Sequence, residues 1–97
     1  MKLGNVIASF RRRKEIDQKT MASKLEISIS YLSQIENNSK MPSGKLLTKI
    51  SEIIGVPTSV LLFETLNPDN IEDENKRKLF LKAKPMMDEM IEILLAS

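Results

Sequence analysis

The sequence predicts an all-α fold, with five short helices closing a small domain and a helical extension at its C-terminus. Three observations lead there. Apolar residues recur at spacings of three and four along most of the chain, and no segment shows the alternation of a strand. Helix-stopping residues, Asn37-Asn38-Ser39 and then Gly55 with Pro57, fall at intervals suited to short helices. The 97 residues are 41% hydrophobic, which suffices for one core and argues against disorder.

The elements follow in order. Leu3, Val6, Ile7 and Phe10 share one face of a first helix, and Arg11-Arg12-Arg13-Lys14 closes it with charge that suits its C-terminal dipole. Asp17 caps a second helix, with Gln18 and Lys19 in its first turn and Met21, Ala22 and Leu25 inward. Glu26-Ile27 is a tight link. Ser28 caps a third helix that turns Leu32 and Ile35 inward, and Asn38 supplies the left-handed residue at its end. Pro42-Ser43 opens a fourth helix with a broad apolar face at Leu46, Leu47, Ile50, Ile53 and Ile54. Gly55 stops it, and Thr58 or Ser59 starts a fifth helix through Leu62.

The expected organisation is a domain over residues 1–63, a linker over 64–70 and a helical segment over 71–97. Asp69 or Asn70 caps the sixth helix, with Glu72, Asp73 and Glu74 in its first turn. An apolar stripe runs from Ile71 through Leu79, Phe80, Ala83, Met86, Met87, Met90, Ile91 and Leu94 to Leu95. Pro85 interrupts that stripe and must kink the helix or split it in two.

Composition narrows the function. With no Cys and no His, the chain holds no disulfide, no thiol nucleophile, no Ser-His-Asp triad and none of the common transition-metal sites. No enzyme, metal or cofactor is expected. The net charge of +2 is unevenly spread. Residues 1–49 hold ten Lys and Arg against four Asp and Glu, a balance of +6, and residues 50–97 hold five against nine, a balance of −4. A basic N-terminal half attracts phosphate. No apolar run approaches the roughly 20 residues that span a bilayer, and no signal peptide is evident, so the expected location is the cytoplasm.

Residues 18–37 carry the informative motif. Ala22 sits where two helices can cross closely, a turn follows at Glu26, and Ile27, Leu32 and Ile35 are spaced to lock a second helix across the first. The wider text is more specific: Ile7-x-x-Phe10-Arg11, Gln18-x-x-Met21-Ala22-x-x-Leu25, Ser28-x-x-Tyr31-Leu32-Ser33-Gln34-Ile35-Glu36-Asn37, Pro42-Ser43, Leu47-x-x-Ile50, and Gly55-Val56 before Leu61-Leu62. In these residues the chain resembles the phage-repressor (Cro-type) helix-turn-helix family over residues 3–63. The resemblance implies a five-helix DNA-binding domain whose third helix enters the major groove. It also implies that Arg11 and Glu36 pair inside the domain, and that Gln18 clamps a phosphate at the start of the second helix. The chain departs from the family at Glu15 and Glu26, where glycine is usual at turns that favour positive φ.

Residue chemistry assigns the contacts. Ser28, Ile29, Ser30, Ser33 and Gln34 lie on the N-terminal half and exposed face of the third helix. Gln34 suits a bidentate contact to adenine, Ile29 a thymine methyl, and the serines either kind of base edge. Besides Gln18, candidate phosphate contacts are Asn37 and Lys40, with Lys19 and Lys45 weaker ones. The single tyrosine, Tyr31, is assigned to packing at the domain surface rather than to base stacking.

The expected function is a sequence-specific regulator, a repressor acting as a homodimer on double-stranded DNA. Leu79, Phe80, Ala83, Met87, Met90, Ile91 and Leu94 form the expected dimer interface, with folding back onto Leu61-Leu62-Phe63 as the competing arrangement. Two alternatives share the fold: an antitoxin with a toxin as protein partner, and a controller protein of a restriction system.

Overall fold

The computed structural model describes residues 1–96. Its first helix, α1 (Leu3–Arg13), buries Val6, Ile7 and Phe10. It also buries Gly4, where a Cβ would stand 2.3 Å from the Ile35 carbonyl oxygen. Only glycine lets the start of α1 meet the end of the third helix so closely. The chain leaves α1 through Glu15 at φ 58°, and the Ile16 N–H returns to the Arg11 carbonyl.

Helix α2 (Gln18–Leu25) starts at Asp17, whose carboxylate accepts the Thr20 N–H at 2.7 Å. That hydrogen bond, on the backbone of α2's first turn, holds the Asp17 carboxyl below the usual range. Glu26 at φ 58° turns the chain into α3 (Ile29–Glu36), capped by Ser28 through the Tyr31 N–H at 3.0 Å. Asn38, at φ 68°, ends the turn after α3. Its Oδ1 accepts the Gly4 N–H at 2.9 Å and its Nδ2 donates to Asn5 Oδ1 at 2.8 Å, so the same residue stops α3 and ties it to α1.

Ser43 caps α4 (Gly44–Ile54), which ends at Gly55 with φ 88°. Helix α5 (Thr58–Phe63) follows, joined to α4 by the Ser51 and Thr58 hydroxyls at 2.9 Å. Thus the five expected helices occur in order, and Met21, Leu32, Ile35, Ile50, Ile54 and Leu61 form the centre of one core. Tyr31 packs at the edge of that core, half-buried.

The C-terminal segment differs from its expected form in two ways. A 3₁₀ turn occupies Pro68–Asn70, and helix α6 (Glu74–Ala96) begins only after Asp73, whose side chain accepts the Lys76 N–H at 3.0 Å. Asp69 and Asn70 are therefore in the 3₁₀ turn, because Pro68 starts its own short turn under an Asn67 cap. Of the two arrangements expected at Pro85, the chain does not take the split: α6 continues through it. Pro85 and Leu81 both lie on the exposed side, where water can take the Leu81 carbonyl that loses its donor. The helix is anchored on either side of the proline.

The second difference concerns the seven residues expected at the dimer interface. Ile91 is 2% exposed and, with Leu95, belongs to the core of its own chain, so it is not available to a partner. Met87 and Leu94 pack half-buried against that core. Phe80 stacks on Phe63 with ring centroids 5.2 Å apart. Leu79, Ala83 and Met90 are exposed. An apolar stripe this wide spans more than one face of a helix, and only one face can turn inward. Ion pairs Arg13–Glu92 and Lys84–Glu64 hold α6 on the domain. Burial lowers the affinity of Lys84 for its proton, but hydrogen bonds to Asp88 and Glu64 outweigh it and hold the amine above its ordinary value. The expected boundary near residue 63 therefore marks no gap in the core, and residue 97 of the expected segment lies outside the described residues.

Candidate nucleic-acid interface

One buried polar network sets the position of α3. Arg11 reaches from α1 and donates from Nε to Glu36 Oε2 at 2.7 Å and from Nη2 to Glu36 Oε1 at 3.0 Å. Its Nη1 donates to the Ile16 carbonyl at 2.8 Å. Gln18 adds a bond from Nε2 to Glu36 Oε1 at 3.0 Å. The side chains of Arg11 and Glu36 are 8% and 5% exposed. Among the described residues, no buried side-chain polar atom lacks a partner. The carboxylate of α3 thus gathers side chains from α1 and α2, and removing Arg11 or Glu36 leaves the other as an unpaired buried charge.

With its inner side held by Leu32, Ile35 and Glu36, α3 presents its other side to solvent. Ser28, Ile29, Ser30 and Gln34 are exposed, and Ser33 is half-buried. Ile29, large and apolar, is 46% exposed. The Ser28 oxygen already accepts the Tyr31 N–H, which leaves its hydroxyl proton free to donate to a base or phosphate. Gln34 is engaged only through its backbone, whose carbonyl accepts the Ser39 and Lys40 N–H groups at 2.9 and 3.1 Å. Its side-chain amide has both a donor and an acceptor to offer, the pattern that adenine presents in reverse.

The phosphate candidates are placed less uniformly. Gln18 stands in the first turn of α2, half-buried, with its amide nitrogen directed to Glu36 rather than to solvent. Lys19 is exposed beside it. The Asn37 Oδ1 accepts the Ser39 N–H at 2.9 Å and so shapes the loop after α3, while the exposed Lys40 is held to the end of α3 by its N–H. The sequence does not single out Lys2 and Met41. Both line a groove with Lys40, Asn38 and Gly4 at the junction of α1 and the α3–α4 loop, and Met41 is 77% exposed. No periodic signal identifies residues in irregular segments; only the contact of Gly4 with α3 brings them together.

Arrangement and sequence agree with what this chain is similar to. A family model described as helix-turn-helix matches residues 7–61, which takes in most of α1, all of α2 to α4 and most of α5. A Bacillus phage phi105 protein, the ImmF control region 10 kDa protein, is 42% identical over 60 residues, covering 62% of this chain and 67% of the relative. No solved structure matches the chain. Among the described residues, no helix is long and apolar enough to cross a membrane. Five helices, an α3 tied to α1 by Arg11–Glu36 and to α2 by Gln18–Glu36, and a matching family model over more than half the length lead to one assignment: the chain belongs to the phage-repressor (Cro-type) helix-turn-helix family of DNA-binding transcriptional regulators.

Proposed function

We propose that the chain is a sequence-specific transcriptional repressor, that α3 enters the major groove of double-stranded DNA, and that two copies act together on a palindromic site. The observation that supports this most is the exposure of Ile29, Ser30 and Gln34 on a helix whose other face is held by a buried ion pair. A rigidly held helix offering an amide, a hydroxyl and a branched apolar side chain can distinguish base edges. The relative's printed name, which refers to a control region, suits a regulator. Gln34 and Ile29 are the base-reading residues, with Ser28, Ser30 and Ser33 supporting them. Lys19, Asn37, Lys40 and the N-terminal amides of α2 hold phosphates. Gln18 acts there through its remaining amide hydrogen and oxygen, oriented by Glu36.

Two such modules are needed because one recognition helix touches few base pairs, and paired half-sites multiply the discrimination. Selection from random oligonucleotides tests the reading, and enrichment of one palindrome is the expected result. On that site, Gln34→Ala should lose about 1–3 kcal/mol and relax preference at one position, with binding to random DNA nearly unchanged. Affinity should also fall steeply with salt, by a slope of about −0.9 for each phosphate neutralised. Equal losses on selected and random DNA, or a slope near zero, overturn base reading and phosphate contact respectively.

A further inference from the structure

Helix α6 is apolar on two sides, and its own chain covers only one. Its exposed side carries Leu79, Ala83, Met86, Met90 and Ile93, at alternating spacings of four and three. That is the a/d repeat of a helix-pair seam. All five are exposed, Leu79 at 68% and Met86 at 72%, over a length of about 21 Å at 1.5 Å per residue.

We propose that this seam pairs with the same seam of a second copy, the two α6 helices running antiparallel about a two-fold axis at Met86. The inference rests on the homodimer of the proposed function and assigns its interface and orientation. Charge selects the orientation. Over residues 76–84 the helix carries Lys76, Arg77, Lys78, Lys82 and Lys84 and no acid. Over residues 88–92 it carries Asp88, Glu89 and Glu92 and no cation. Lys84, Asp88 and Glu92 are already paired within the chain and Arg77 is bonded to the Pro68 and Ile71 carbonyls, so Lys76 and Lys82 on one half and Glu89 on the other are the charges that face a partner. Antiparallel pairing lays the basic half of one copy along the acidic half of the other, whereas parallel pairing lays like on like. Lys82 and Glu89 flank the seam on the same side, seven residues apart, so the axis brings Lys82 of one copy toward Glu89 of the other.

Side-chain size agrees with this register. The axis sets Ala83 opposite Met90, a small residue against a long flexible one, and Leu79 opposite Ile93. Met86 meets only its own copy. The seam leaves the inner side of α6 undisturbed, since Phe80, Ile91 and Leu95 already pack within one chain.

The absence of cysteine makes the test direct, because a single introduced thiol reports one position. The full chain is used, without DNA. Mild oxidation of Met86→Cys should give a covalent dimer, since an axis there brings the two sulfurs within bonding reach. Leu79→Cys should give none, because its two copies lie about 21 Å apart along the helices. Covalent dimerisation of both variants indicates parallel pairing and overturns the proposal. By sedimentation, Met86→Lys should weaken the dimer at least about tenfold, equivalent to 1.4 kcal/mol. Circular dichroism should stay unchanged, as Met86 is exposed. Lys82→Glu should weaken the dimer, and Lys82→Glu with Glu89→Lys should restore it. A wild-type chain that is monomeric at micromolar concentration overturns the interface, and so does a dimer indifferent to Met86→Lys. Gln34→Ala leaves sedimentation as in wild type, so failure of the interface and failure of DNA reading give separate results.

Discussion

Gly4 shows how much one residue can decide. A methyl group there would stand 2.3 Å from the Ile35 carbonyl oxygen and 2.8 Å from that of Glu36, both backbone atoms at the end of α3. Neither oxygen can move without shifting the buried carboxylate of Glu36, to which Arg11 and Gln18 are bonded. Gly4→Ala should therefore destabilise the fold by about 1–3 kcal/mol, the usual range for overpacking. It should also weaken DNA binding more than that loss alone explains, because α3 is displaced. Urea denaturation and a binding titration below the unfolding transition separate the two effects. Gly4 is not conspicuous in the sequence, as glycine inside a helix usually only weakens it. Gln18 is the complementary case: its residue type and place fit a phosphate clamp, but the partner that orients it, Glu36, is 18 residues away.

At the scale of elements, capping residues define the helices. Asp17, Ser28 and Ser43 each accept an N–H from the first turn of the helix that follows, and Asn38 and Gly55 take the left-handed conformation at helix ends. Glu15 and Glu26 take it too, at φ 58°, with side chains that make it unfavourable. Glu26→Gly should stabilise the protein by roughly 0.5–1 kcal/mol, since relief of the left-handed strain exceeds the added freedom of the unfolded chain. Thermal unfolding measures it, and a lower midpoint would show that the Glu26 side chain makes a compensating contact. The caps, stops and turn positions were legible because they depend on neighbours within four residues. The 3₁₀ turn at Pro68–Asn70 was not, since Asn67 and Asp73 are as good caps as Asp69, and only packing chooses among them.

Across the whole molecule, α6 is part of the domain rather than an attachment to it. Ile91 and Leu95 complete a core otherwise built from α1 to α5, and Arg13–Glu92 and Lys84–Glu64 brace the contact. A chain ending at residue 63 should accordingly unfold at lower denaturant than the full chain, and Ile91→Ala in the full chain should lose about 2–5 kcal/mol. Unfolding of the two variants by urea, compared with wild type, tests both; an unchanged midpoint would show that α6 is dispensable to the core.

Local sequence thus determined the first five helices, the caps at Asp17, Ser28 and Ser43 and the exposed face of α3, because hydrophobic period and capping act within a turn or two. It also determined the charge asymmetry, which follows from composition alone. The tertiary structure decided what depends on contacts between distant residues. Gly4 meets α3 across more than 30 positions, Gln18 joins the Arg11–Glu36 pair, and α6 turns Ile91 inward while leaving Met86 and Met90 outside. The apolar stripe of α6 is wide enough to face either way. Which side is buried was settled by the surface it met, the stacking of Phe80 on Phe63 and the space left in the core for Ile91 and Leu95.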